Sequence, residues 1–276
     1  MDTVLDVETT AEEVVAPEVP RPIFFMHIAK TAGSYLNARF IDALGKDRAM
    51  AHIEATVGNR ADLKGRLDAG VRYFSGHVMY PLWRDIAGPL QSQFCKVTIL
   101  RDPIAHIASH IQWLDHYNLP TFSREYRFLD EHHRRLVDQI GGIDITEVGQ
   151  LDAFLSGLSG VGVRLLDNCQ ARYFVTAGRQ SMDAIRPLTL ADRFNVARAA
   201  GEFDVIAFQD DLQTGLDKLS EATGVPLVAS KARVNPAVSS RKIDTANPLV
   251  RQVLSRRTLV DQWLFHHLRS RQNGDS

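Results

Sequence analysis

The sequence predicts an α/β fold: a three-layer α/β/α domain with a mostly parallel central sheet. Two observations carry this. Short apolar runs at residues 23–28, 71–75, 94–100 and 204–209 read as buried strands. Stretches with helical spacing of apolar residues alternate with them, beginning at Ser34, Pro103, Leu212 and Leu249. Strands alternating with helices favour parallel pairing, with helices on both faces of the sheet.

Residues 1–21 stand apart. Asp2, Asp6, Glu8, Glu12, Glu13 and Glu18 meet no basic residue before Arg21, and Pro17 and Pro20 interrupt any helix. A disordered or loosely docked acidic tail is expected there, with residues 22–276 as a single domain. The first strand, 23–28, leads into a turn over Ala29 to Gly33. Ser34 opens a helix that gathers Tyr35, Leu36, Phe40, Ala43 and Leu44 on one face, and Gly45 is its stop. The next strand ends at Gly76-His77. The run 94–100 reads as a central strand, followed by Arg101-Asp102 and by Pro103, which suits the first turn of a helix reaching about Tyr117. Residues 118–150 are polar and helical in parts. A strand over 204–209 and a helix over 212–222 follow. A long polar loop then spans 229–247, and one terminal helix spans 249–271.

Composition narrows the function classes. A chain of 276 residues, 45% hydrophobic and 24% charged, can bury a core without disulfides or metals. A net charge of −1 excludes a globally basic nucleic-acid binder. Cys95 and Cys169 lie far apart and read as free thiols. No apolar run approaches the roughly 18 residues of a membrane span. The N-terminus has neither a basic nor an apolar signal region, so a cytoplasmic location is expected.

Two loops stand out. Lys30, Thr31, Ala32, Gly33 and Ser34 lie between a strand and a helix, where ligands bind beyond the carboxyl ends of an open parallel sheet. A helix N-terminus offers N–H groups and favours negative charge. Gly33 permits close backbone approach, Thr31 and Ser34 bring hydroxyls, and Lys30 brings a compact cation. The second loop is Arg101-Asp102-Pro103, with Ser109 two helical turns on. A guanidinium and a hydroxyl at that place suit a second phosphate. Neither G-x-x-x-x-G-K-[ST] nor G-x-G-x-x-G occurs.

Together these residues resemble the PAPS-dependent sulfotransferases (PAPS is 3′-phosphoadenosine 5′-phosphosulfate). The stretch Phe25 to Ser34 is similar to their 5′-phosphosulfate loop, and Arg101 with Ser109 to their 3′-phosphate motif. Within that family the chain resembles the carbohydrate 2-O-sulfotransferases and related bacterial enzymes. Tyr73 to Val78, Ile99 to Pro103, Asn168 to Phe174 and Phe203 to Leu219 carry this likeness. The resemblance implies a P-loop-like version of the fold. It implies that Lys30 meets the oxygen bridging phosphate and sulfuryl, that Thr31, Gly33 and Ser34 hold the 5′-phosphate, and that Arg101 and Ser109 hold the 3′-phosphate. His77 matches the catalytic base. It also implies that the basic stretch holding Lys231, Arg233, Arg241 and Lys242 closes over the nucleotide; a solvated loop is the alternative. Where the 2-O group often carries a second histidine, two positions before the base, this chain has Ser75, which leaves the acceptor class open.

The expected activity is therefore sulfuryl transfer from PAPS to a hydroxyl of a sugar, lipid-linked or small-metabolite acceptor, leaving PAP (3′-phosphoadenosine 5′-phosphate), in a bacterial cytoplasm. A P-loop-like kinase or hydrolase and a non-catalytic nucleotide- or glycan-binding protein are the alternatives. The first lacks a Walker motif and an obvious magnesium carboxylate. His106 and His110, one helical turn apart, have a spacing that suits a metal. No third ligand is evident beside them, so a helix surface or pocket wall is expected, and no metal. His27 reads as structural, Trp113 as core or pocket lining with the border of the acceptor cleft as the alternative, and Arg172 as facing either the cleft or solvent. The pairs His132-His133 and His266-His267 read as solvated.

Overall fold

The computed structural model describes residues 17–177, 185–230, 241–272 and 274. One sheet holds β1 (Ile23–Met26), β2 (Ala49–Met50), β3 (Tyr73–Gly76), β4 (Cys95–Leu100) and β5 (Val205–Phe208). The order is β2-β3-β1-β4-β5, and every pairing is parallel. β2 has only two residues, too few to show a period in the sequence. Helices α1 (Gly33–Leu44), α2 (Arg60–Asp68), α3 (Tyr80–Ala87) and α4 (Pro103–Asp115) follow β1, β2, β3 and β4 in turn.

All four residues of β1 are buried, because both faces of the sheet are covered. Alternate side chains point to opposite faces. Phe24, Met26, Phe74, Ile206 and Phe208 build one core layer. Ile23, Phe25, Tyr73, Val97, Ile99 and Val205 build the other, against Leu36 and Phe40 of α1. On the first face Phe24 stacks on Trp83 of α3, with centroids 3.8 Å apart and planes 2° apart. Burying each such ring contributes about 1.5–3 kcal/mol. A third apolar cluster lies outside the sheet. It joins Ile104, Ile107 and Ile111 of α4 to Leu136, Val137 and Ile140 of the helix Glu131–Gly141. That helix comes from the stretch the sequence shows only as polar and partly helical.

Three expectations change. Residues 17–21 are packed against the domain: Val19 is buried with Leu219 and Val225, and Arg21 reaches Asp204 at 2.9 Å. Of the expected tail, residues 1–16 lie outside the described residues. Arg172 faces neither cleft nor solvent. It is fully buried, with Nε donating to the Asp167 carbonyl at 2.7 Å and Nη2 to the Asp167 carboxylate at 2.8 Å. The terminal helix is two helices, Pro248–Ser255 and Leu259–Gln272. The break follows from a distant cap: the Asn168 side-chain oxygen accepts from Val260 N at 2.7 Å and from Asp261 N at 3.2 Å. A residue some ninety positions away leaves no local stop signal.

Asp261 returns the favour across the same junction. Its carboxylate accepts from Gln170 N at 3.3 Å and Ala171 N at 2.7 Å, at the start of the helix Cys169–Val175. Burial outweighs these bonds and lifts its pKa from 3.8 to about 7. The folded state therefore keeps a proton that the unfolded chain releases near pH 3.8. The stability this confers is fully present below that value and is lost as pH rises toward 7, by up to about 1.4 kcal/mol per unit. Chemical denaturation of wild type and Asp261→Asn across this range should show wild type losing stability relative to the variant as pH rises; parallel profiles would contradict the assignment.

Candidate functional site

The register of β1 against its neighbours builds the site. Met26 is level with Gly76 of β3 and Thr98 of β4. The next residues, His27 and His77, therefore emerge side by side, and β4 runs two residues further before Arg101. The His27 and His77 rings lie 4.3 Å apart. The His77 ring is held through Nδ1–H, which donates to the His27 carbonyl at 2.7 Å. A carbonyl only accepts, so this bond sets the tautomer and leaves the Nε2 lone pair unprotonated. His77 is solvent-accessible, yet the surrounding protein strips enough hydration to lower its pKa; Glu54 and the bond to His27 oppose the shift.

Between β1 and α1 the chain passes through two left-handed residues that are not glycine, Lys30 at φ 67° and Ala32 at φ 75°. Each costs about 1–2 kcal/mol. Three donors hold the loop. The Thr31 hydroxyl donates to the Ile28 carbonyl at 2.8 Å, His106 Nε2–H to the Ala29 carbonyl at 2.8 Å, and Arg101 Nη1 to the Lys30 carbonyl at 3.1 Å. Three successive carbonyls are thereby engaged within the protein. The first N–H groups of α1, like those of any helix, have no intrahelical acceptor.

Lys30 and Arg101 are thus neighbours, as the sequence expects of two loops at adjacent strand ends. Burial lowers both pKa values; repulsion from Arg101 adds to it at Lys30, and Asp102 opposes it at Arg101. The Lys30 ammonium sits 5.7 Å from the centre of the Trp113 ring, which places Trp113 beside the loop. His106 and His110 are 1% exposed and lie under this loop. Burial holds His106 at about 4 and His110 well below 6.5, and Lys30 acts on both in the same direction. Arg101 Nε, His27 Nδ1 and both ring nitrogens of His110 are buried with no hydrogen-bond partner among the described residues. Orphaned buried polar atoms are rare, and functional sites are one place where they occur. Behind Arg101, Gln170 clamps the backbone: its side chain accepts from Arg101 N at 2.9 Å and donates to Arg101 O at 3.0 Å.

Several sequence-derived roles shift. Gly33 is required by His27: a Cβ there would lie 1.9 Å from the His27 ring, leaving no space for a side chain. The Thr31 hydroxyl is fully buried in its bond to Ile28, so only its backbone remains for a ligand. Ala32 and Ser34 flank Gly33, half-buried, at the start of α1. Ser109 is half-buried on α4. Arg241 lies with its guanidinium on the Asp115 carboxylate and Nη1 donating to the Ile143 carbonyl at 2.6 Å, which anchors it to the helical cluster. Lys242 is exposed. Lys231 and Arg233, and most of the expected closing loop, lie outside the described residues. His106 and His110 are interior, not on a surface, and the third donor that spacing did not reveal is Cys169, within 4.8 Å of both.

His52 and Glu54 escaped sequence reasoning. His52 follows β2 in the left-handed region, at φ 59° and ψ 44°. Glu54 reaches the His77 N–H at 3.1 Å and the His52 Nδ1 at 3.3 Å. Gly76 makes room for it, since a Cβ there would lie 2.2 Å from Glu54 Oε2. No spacing rule links residues 52, 54 and 77; the pairing of β2 with β3 brings them together.

Comparison with protein-family models and with curated proteins gives no match.

The fit between Gly33 and His27 can be tested directly. Gly33→Ala should destabilise the fold by about 1–3 kcal/mol. In a double-mutant cycle, His27→Ala should remove most of that loss. Additive effects would mean that the two residues do not press on one another.

Proposed function

We propose that this chain is a sulfotransferase that moves a sulfuryl group from PAPS to a hydroxyl of an acceptor. The observation that carries the reading is the pairing of Lys30 with Arg101 over a strained loop at a helix N-terminus. Two partly desolvated cations held together repel, and a multiply charged anion relieves the repulsion. The residues fit such an anion. Arg101 Nε is buried without a hydrogen-bond partner among the described residues. The loop carbonyls at 28, 29 and 30 are engaged internally, so donors dominate what remains.

On this reading His77 Nε2 accepts the acceptor's hydroxyl proton as that oxygen attacks sulfur. The bond from sulfur to the bridging phosphate oxygen breaks, and Lys30 stabilises the charge left on that oxygen. PAP departs with the electron pair, and His77 returns its proton to solvent. Positioning and electrostatic stabilisation supply most of the acceleration, as in phosphoryl transfer. His77 suits the base role because its lowered pKa keeps it neutral near pH 7 and its tautomer exposes the needed lone pair. Trp113, whose ring lies beside Lys30, borders the acceptor cleft on this reading.

His77→Ala should lower PAPS-dependent turnover by about 100-fold or more while leaving PAP affinity near wild type. Arg101→Ala should weaken PAP binding by roughly 10–150-fold, the loss of a charge-assisted hydrogen bond. Calorimetric titration with PAP and with ATP separates this reading from a kinase: tighter binding of ATP, or full turnover in His77→Ala, would overturn it.

A further inference from the structure

We propose that His52, Glu54 and His77 form a binding site for a transition-metal ion of the zinc type. One ring nitrogen of each histidine and one Glu54 oxygen lie within 4.8 Å of one another. Donors around a tetrahedral zinc, bound at about 2.0–2.1 Å, stand roughly 3.3 Å apart. The His52 side chain, 65% exposed, is the ligand with room to turn toward the other two, and the open side leaves a position for water.

Two imidazoles and one carboxylate are a ligand set that zinc accepts, with an open fourth position. Two of the three ligands are already oriented. His77 Nδ1–H is bound to the His27 carbonyl at 2.7 Å, the backbone contact that commonly fixes the tautomer of a metal-ligating histidine and leaves Nε2 to bind. Glu54 is lodged over Gly76 and bonded to the His77 N–H at 3.1 Å. His52 adopts a left-handed backbone that costs about 1–2 kcal/mol in other settings, and that conformation brings its ring to Glu54. Strain of this kind persists where the surroundings enforce it, often at ligand sites.

The electrostatics favour a cation here over the buried group of His106, His110 and Cys169. Among the described residues, the charges acting on His77 are those of Glu54, which attracts a cation, and of His52 when protonated. His106 instead feels both Arg101 and Lys30, which repel one. Metal binding does not depend on the sulfuryl-transfer reading. If both hold, the ion occupies the lone pair that His77 needs, and the site is inhibitory.

The test is calorimetric titration of untagged full-length protein with zinc chloride. Wild type should bind one ion per chain at micromolar concentration. His52→Asn keeps a residue that tolerates the left-handed backbone, and Glu54→Gln keeps the carboxylate's shape. Each should weaken binding at least about tenfold, the lower end of the loss seen even for outer partners of a metal. Cys169→Ser should bind as wild type does. Melting curves identify any variant that fails to fold, in which case the other of the pair decides. The proposal is overturned by the absence of saturable binding at millimolar zinc, by wild-type affinity in both His52→Asn and Glu54→Gln, or by loss of binding in Cys169→Ser. PAP titration of the same proteins reads the nucleotide site separately, so either reading can fail alone.

Discussion

The position of β1 between β3 and β4 is the constraint on which the rest depends. Parallel pairing sets Met26 level with Gly76 and Thr98, and Thr98 fastens the junction by donating its hydroxyl to the Met26 carbonyl at 2.8 Å. A slip of one residue would turn Phe24 and Phe25 to the wrong faces and unmake both core layers. The hydrophobic pattern that stabilises the sheet thus also fixes where His27, His77 and Arg101 emerge. Core and site share one register.

The loop beyond β1 then has little freedom. Its left-handed Lys30 and Ala32 are held by bonds from Thr31, His106 and Arg101, and Gly33 accommodates the His27 ring. Arg101 is itself held by Gln170, whose helix is capped by Asp261, while Asn168 caps the helix that carries Asp261. Two N-terminal donors of each helix are therefore met by a side chain from the other junction rather than by solvent. The Asn168–Phe174 stretch, prominent in the sequence, is largely a brace: Asn168 caps, Gln170 clamps Arg101, and Arg172 forms a buried ion pair with Asp167. Breaking such a pair costs about 3–5 kcal/mol because it strands a buried charge.

Position 75 illustrates why local spacing misleads at this site. Ser75 stands on β3 with its side chain fully buried and level with Phe25. The histidines that do approach His77 come from other parts of the chain, His27 from just after β1 and His52 from the segment after β2. Likewise spacing leaves His106 and His110 on a helix surface or a pocket wall, and only the packing of α4 against the sheet and the Cys169 helix shows that they are buried.

The sequence alone determined four of the five strands, the helices that open near Ser34, Pro103 and Leu212, and the pair of loops bearing Lys30 and Arg101, because these depend on local periodicity and on residues adjacent in the chain. Short strands lost a residue or two at their ends, and β2 was invisible. Tertiary structure alone decided that Arg172 is interior, that the terminal helix breaks after Ser255, that Arg241 serves Asp115, and that His52 and Glu54 join His77. Each of these depends on partners distant along the chain, and neither hydrophobic period nor motif spacing carries the strand order that brings them together.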